Sequence, residues 1–523
     1  MDDIKNSKQN QSESEAPQPL YETAPAAPPA SQQANPAQDP AGAAAPQPQT
    51  DAAQTDQVPE FVVEETPSEF GVGDEAQGGQ FVPIVEGGGG DTRMKYIMIA
   101  AAVVFFLLIF GFLLWFFLGR SGGGNKEVKL IYWGLWETES VMQPIIDEYE
   151  QKNPKVTIEY QRLSAQEDYL KKIQVREGRG PDIFRFHNTW VPQLADVLTP
   201  LPGSVMSGEE FENTFYPIHT RDLKVQNSYY GIPLMVDGLV LIYNEDLLKK
   251  AGKSLPPTTW VDMVEYIQDI TVPGQTSNDI VLSTAALGTA NNIEHSSDIF
   301  GLFLLLNGGS VTDLSSDEAV GALREYRKFA EPPNATWNES MPNSIDAFVQ
   351  EKVVMIIAPS WELVNIRAQN PNLKIRVAPI PILPGSDKGL SVSNYWVEGV
   401  SKHSQFQQEA WSFLKYLSSA PVMEQMYTAQ AKERFFGVPY SRKDLADKLS
   451  GDQYFGAVVS QAGADIYRSI PIIDRTFDGG LNDENASYIR QAIDRSTDGV
   501  AYDTAMSTAQ SGVSEVLKQY NIQ

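Results

Sequence analysis

Between Tyr229 and Leu248 the chain has a nearly continuous apolar stretch: Val236 and the run from Leu239 to Tyr243 are aliphatic, β-branched or aromatic. Such a run predicts a strand covered on both faces in an α/β protein. Asp237 interrupts it near its start. A short helix is predicted next, with Asn244 as N-cap, Glu245 and Asp246 at its positive end, Lys249 and Lys250 at its negative end, and Gly252 as the stop.

Upstream, Val128 to Trp133 reads as a strand, and Val141, Met142, Ile145, Ile146 and Tyr149 recur at helical spacing until Asn153-Pro154. Val156, Ile158 and Tyr160 alternate with polar residues as a second strand. Glu167 to Glu177 reads as a helix, and Gly178 to Pro181 punctuates before a third strand at Asp182-Ile183-Phe184. This β-α-β-α-β order opens a mostly parallel, doubly wound sheet. Ligands of such sheets bind beyond the carboxyl ends of the strands. The loops there carry Trp136 and Glu137, then His187, Asn188 and Trp190, then Asp237.

Composition changes abruptly twice along the 523 residues and divides the chain. Residues 1–93 hold twelve Pro, no Trp, and 16 acidic against 3 basic residues, too little apolar content to offset chain entropy, and are expected to be a disordered tail. From Ile97 to Leu118 no residue is charged; at ~1.5 Å per residue a helix of that length reaches about 33 Å, enough to span a bilayer core. Residues 94–119 are therefore expected to be an uncleaved transmembrane anchor, followed by a Gly-rich tether over 120–127. The large domain begins at Val128. The chain has no cysteine, which excludes disulfides, thiolate metal sites, Cys nucleophiles and a lipidated N-terminal Cys. Its net charge of -27 argues against nucleic acid as a partner.

No catalytic pattern emerges. The four histidines, His187, His219, His295 and His403, lack metal-ligand spacing, and neither a Gly-x-Ser-x-Gly elbow nor a P-loop occurs. No enzyme activity and no cofactor is expected. What the loops do offer is aromatic faces beside planar polar groups, the combination that holds a sugar. Trp136, Trp190, Trp361 and Trp396 fall beside predicted strand ends, whereas Trp260, Trp337 and Trp411 sit in turn or helix patterns expected to be core. Asp237 can face a ligand, or instead stabilise a bend or form an interlobe salt bridge. Glu137 can contact a ligand or be a solvated loop charge. Tyr395 and Phe477 complete the candidate set.

Several segments stand in a telling order: Gly180 to Ile183, Tyr229 to Leu248, Pro257 to Trp260, Asn307 to Gly309, Ala347 to Lys352 with Val354-Met355-Ile356 and Ser360-Trp361, and Ala378 to Pro381. Over roughly residues 126–520 they resemble the family 1 extracellular solute-binding proteins, the maltose-binding kind. The resemblance implies an α/β, two-lobed periplasmic-binding-protein-like fold with discontinuous lobes, 128–236 plus 397–436 and 237–396 plus 437–523. Three hinge crossovers would lie near Val236 to Leu241, Ser393 to Val397 and Phe436 to Tyr440, and one transmembrane helix would precede the whole. It further implies that Asp237 faces a sugar, that Trp361 stacks on it, and that an ABC transporter permease is the partner. Glu294 and Asp298 lie where the family's second lobe contributes contacts, but the family's Tyr is missing there. Localisation is expected to be single-pass in the cell membrane, N-terminus cytoplasmic and large domain outside, with lipid contacting the anchor helix. The acidic tail leaves open a different role, a ligand-sensing or scaffolding membrane protein that recruits partners.

Overall fold

The computed structural model describes residues 104–110, 127–163, 167–174, 180–276 and 279–522. Within them, the sequence from Val128 onward builds two five-stranded sheets. The first sheet starts with β1 (Val128–Gly134), α1 (Glu139–Lys152), β2 (Val156–Arg162), α2 (Glu167–Gln174) and β3 (Ile183–His187). All three strands are parallel, as the pattern predicts. The five apolar positions of α1 are its five buried ones, so helical spacing there translates directly into a core face.

After β4 (Ile232–Pro233) the chain leaves this sheet and enters the second as β5 (Leu239–Asn244). Leu239 to Ile242 are fully buried, consistent with a strand covered on both faces. Asn244 caps the next helix as expected: its Oδ1 accepts from the amides of Asp246 and Leu247 at 3.0 and 3.1 Å. Gly252 stops it with φ +81°, a conformation open to glycine at little cost. The second sheet adds β6 (Val272–Pro273), β7 (Ile280–Ala285), β8 (Val353–Pro359) and β9 (Ile375–Ala378), with α3 (Ser296–Leu306) and α4 (Glu362–Gln369) among the helices around it. Unlike the first three strands, β5 pairs antiparallel with both β8 and β9. The helix Asp317–Arg327 is capped by Ser316, whose hydroxyl accepts from the Ala319 amide at 3.3 Å.

The chain then returns to the first sheet. β10 (Ser391–Val392) leads into β11 (Trp396–Val400), which inserts antiparallel between β3 and β4. α5 (Ala420–Arg434) follows, and from Phe436 the chain leaves again toward β12 (Tyr467–Arg468), α6 (Leu481–Thr497) and α7 (Tyr502–Gln519). The three passages run side by side: Gly238 bridges Ser393, and Met235 bridges Tyr440. Packing at this waist is tight, since a Cβ on Gly238 would come within 2.4 Å of the Val392 carbonyl oxygen and the Tyr467 ring. Trp260, Trp337 and Trp411 are buried, as expected of core residues.

Of the run from Ile97 to Leu118, only 104–110 falls among the described residues; it is helical, and each of its side chains is at least 40% exposed. Among the described residues no helix is long and apolar enough to cross a membrane. The tail over 1–93 and the tether up to residue 126 lie outside them.

Candidate ligand-binding site

The carboxyl end of β3 and the start of β11 place an aromatic group in the first sheet's half. Trp396 meets three rings edge-on: Trp136 at 5.7 Å, Trp190 at 5.2 Å and His187 at 5.3 Å. Of the four, only Trp136 is half-buried; Trp190 and His187 are sealed, and Trp396 is 8% exposed. The Thr189 amide donates to His187 Nδ1, so Nε2 carries the proton and donates to Asn394 Oδ1 at 3.3 Å. Burial pushes this imidazole down to about 4, so it is neutral at pH 7.

Asn394 carries the contact across to the second half: its Nδ2 donates to Asp298 Oδ2 at 3.2 Å. There His295 stands at the N-terminus of α3 with Glu362 Oε1 3.0 Å from its Nε2 and Asp298 3.8 Å from its Nδ1. Burial opposes its charge, but Glu362, Asp298 and Glu294 outweigh burial and raise the ring to about 9. His295 meets the half-buried Trp361 edge-on at 5.2 Å. A row of contacts thus runs from Trp136 through Trp396, His187, Asn394, Asp298 and His295 to Trp361, linking the two halves.

The loop before α6 closes one side of the row. Asp474 donates its amide to Asp298, Arg475 pairs with Glu294, and Phe477 is half-buried. Arg475 and Phe477 both hold φ near +57°, in the left-handed region that non-glycine residues adopt uncommonly and at some cost. Across the seam, Gln193 of the other half donates to Asp478, and Asn482 of α6 donates back to Thr189, both at 2.8 Å.

Several predicted residues are turned toward the protein. Glu137 is 2% exposed and ion-paired to Arg185, with Gln430 donating to it at 2.9 Å. Burial would raise its carboxyl, but Arg185 and Arg434 outweigh burial and lower it. Arg185 also holds Glu398 at 2.6 Å. Glu137 is therefore neither exposed to a ligand nor a solvated loop charge, because its partners come from β3 and α5. Asn188 and Tyr395 both donate to Asp222, and Asn188 also to Ser469. Asp237 is 4% exposed, and its carboxylate accepts from Gly238, Ser360 and Trp361. Burial pushes that carboxyl up to about 7 against the pull of those donors. Sequence reading missed His295, Glu362, Asn394 and Arg475. Glu362 follows Trp361 directly and Asn394 lies in the second crossover, which were the available hints. Two surface recesses, of about 210 Å³ beside Thr289 and Arg327 and about 540 Å³ beside Pro144 and Lys432, contain no member of the row.

Two sheets joined by three adjacent passages, with polar and aromatic side chains meeting across the seam, define a two-lobed binding protein. The chain belongs to the bacterial extracellular solute-binding protein family, whose model matches residues 144–434. A Brucella abortus relative named only as a binding protein is 24% identical over 278 residues, 51% of this chain and 66% of its own length, just under two thirds. The multiple sugar-binding protein of Streptococcus mutans is 22% identical over 324 residues, 56% of this chain and 71% of that protein. Among solved structures, a cyclo/maltodextrin-binding protein complexed with maltotetraose superposes with TM-score 0.61 at 15% identity, covering 76% of this chain and 99% of that one. The sugar-binding protein MalE of Xanthomonas citri gives 0.61 at 18% identity, covering 75% and 98%. These likenesses show the fold: two lobes of mixed α/β structure.

Proposed function

We propose that this protein is a membrane-tethered receptor that captures a carbohydrate between its lobes and delivers it to an ABC importer. The observation that carries the reading is the row from Trp136 to Trp361, which sets a half-buried tryptophan on each lobe with hydrogen-bonding side chains between them. Aromatic faces stack on sugar C–H faces, and closure follows because a ligand touching both lobes favours the form in which both touch it. Trp361, Trp136 and Phe477 form the stacking surfaces. Trp396, Trp190 and His187 back the Trp136 face, while Asn188 and Tyr395 brace the second crossover. Relatives named for sugar binding in Streptococcus mutans and for maltodextrin binding in Bacillus subtilis support the ligand class.

The exposed apolar helix 104–110 supports the tether. Seven consecutive apolar side chains open to solvent are costly in water and stable in hydrocarbon. The span from Ile97 to Leu118 then holds the binding domain outside the cell, with the acidic tail inside. That tail, which capture does not need, favours a second reading in which the same protein also senses its ligand for a cytoplasmic partner.

Calorimetric titration of the full-length protein in detergent against glucose, maltose, maltotriose and other oligosaccharides tests capture. At least one should bind, and Trp361→Ala and Trp136→Ala should each weaken it by roughly 10- to 30-fold, about 1.4 to 2 kcal/mol. Silence toward every sugar, or hydrolysis of any of them, would sink the receptor reading.

A further inference from the structure

We propose that Asp237 is the positioning residue for Trp361, acting on a bound ligand only through the place it gives that ring. This rests on the cleft reading above. Above pH 7, where the carboxyl of Asp237 is mostly ionised despite its burial, it offers about four acceptor sites and no donor. All four are filled from within the protein: Oδ1 accepts from the amides of Gly238 at 2.7 Å and Ser360 at 3.0 Å, and Oδ2 from the Ser360 hydroxyl at 2.9 Å and the Trp361 amide at 3.1 Å. A sugar hydroxyl arriving at Asp237 would have to displace one of these bonds in a site only 4% exposed.

The donors explain what the carboxylate does. Ser360 and Trp361 form the turn from β8 into α4, and that helix has no side-chain cap of its own. Helix N-termini leave amides unpaired and carry partial positive charge, so an anion there is stabilising. Asp237 supplies that anion from 123 residues away. Its own carbonyl accepts from the Asn394 amide at 3.0 Å. One residue thus joins the first crossover, the second crossover and the backbone that carries Trp361, so the angle between the lobes and the position of the ring are set together.

Two measurements on the full-length protein in detergent decide the matter. The first needs no ligand: with 5-fluorotryptophan incorporated and the Trp361 ¹⁹F resonance assigned through Trp361→Phe, Asp237→Asn and Ser360→Ala should shift or broaden that resonance while leaving the core tryptophans Trp337 and Trp411 in place. The second is a double-mutant cycle with maltotriose. Asp237→Asn should weaken binding about tenfold in the parent and by less than twofold in the Trp361→Ala background. Losses that multiply would mean Asp237 touches the ligand itself and would overturn the proposal, as would an unmoved Trp361 resonance in both variants. If maltotriose binds no variant and not the parent, the sugar reading fails for that probe, while the fluorine spectra still decide the positioning role.

Discussion

Replacing Arg185 with methionine is expected to cost the fold about 3 to 5 kcal/mol at pH 7, the usual penalty for leaving a buried charge without its partner. Arg185 is 1% exposed and holds two carboxylates, Glu137 at 2% and Glu398 at 1%. Methionine fills similar volume without a donor, so both acids would remain sealed without their strongest partner, Glu137 keeping Gln430 and the more distant Arg434 at 3.8 Å and Glu398 keeping the Tyr132 hydroxyl. The group is also a junction. Glu137 follows β1, Arg185 lies in β3, Glu398 in β11, and Gln430 in α5 accepts from the Val438 amide in the third crossover at 3.0 Å. Urea denaturation followed by fluorescence measures the loss. The deficit should shrink as pH falls toward 5, because the stranded carboxyls, with raised pKa values, protonate before they force unfolding. A loss below about 1 kcal/mol at pH 7 would show that water reaches the acids and that the group is not sealed.

The second large effect is a stability that declines on the alkaline side. His295 keeps its proton to about pH 9 in the folded protein, whereas an unfolded imidazole releases it near 6.5. Between these values the native state binds more protons than the unfolded one, so stability falls as pH rises. The contribution is complete below about 6.5 and gone once pH passes about 9, a change on the order of 3 kcal/mol. The position is unfavourable for a cation, since the N-terminus of α3 is its positive end. Glu362, Asp298 and Glu294 overcome that, and removing them would reverse the shift. Asp237 and Asp298, both pushed up to about 7 first by burial, add a decline of the same sign at lower pH. His295→Gln isolates the histidine: its stability should fall less steeply than the parent's between pH 7.5 and 9, the remaining decline coming from Asp298, which loses the neighbouring charge that pulls its carboxyl down. Parallel curves for the two proteins would refute a charged His295.

Local pattern made much of this fold readable. The spacing of Val141 to Tyr149 identified every buried position of α1, and the cap, charges and glycine around Asn244 defined a helix in a few residues, because those signals act over one or two turns. The waist was legible only through the order of motifs shared with a family. Partners of buried charges were not legible at all. Glu137 and Asp237 both stood out as candidate ligand contacts, but their partners lie 48 and 123 residues along the chain. Only the sheet order brings those residues together. The same holds for His295, whose neighbour Glu362 comes from a helix 67 residues on. Strain at Arg475 and Phe477 left no mark either, since no glycine signals the positive φ there.

The late return of the chain to its first sheet has a kinetic consequence. β11 inserts between β3 and β4, and Arg185 in β3 meets Glu398 in β11 across 213 residues. During synthesis β1, β2 and β3 emerge first with β3 still lacking its inner neighbour, and they stay incomplete until residues near 435 have been made. At typical elongation rates of about 5 to 20 residues per second, that exposes an unpaired strand edge for roughly 10 to 50 seconds. Closing so long a loop is slow in itself. Truncation before Val400 therefore leaves a first sheet whose open edge can pair with other chains in place of its own missing strand.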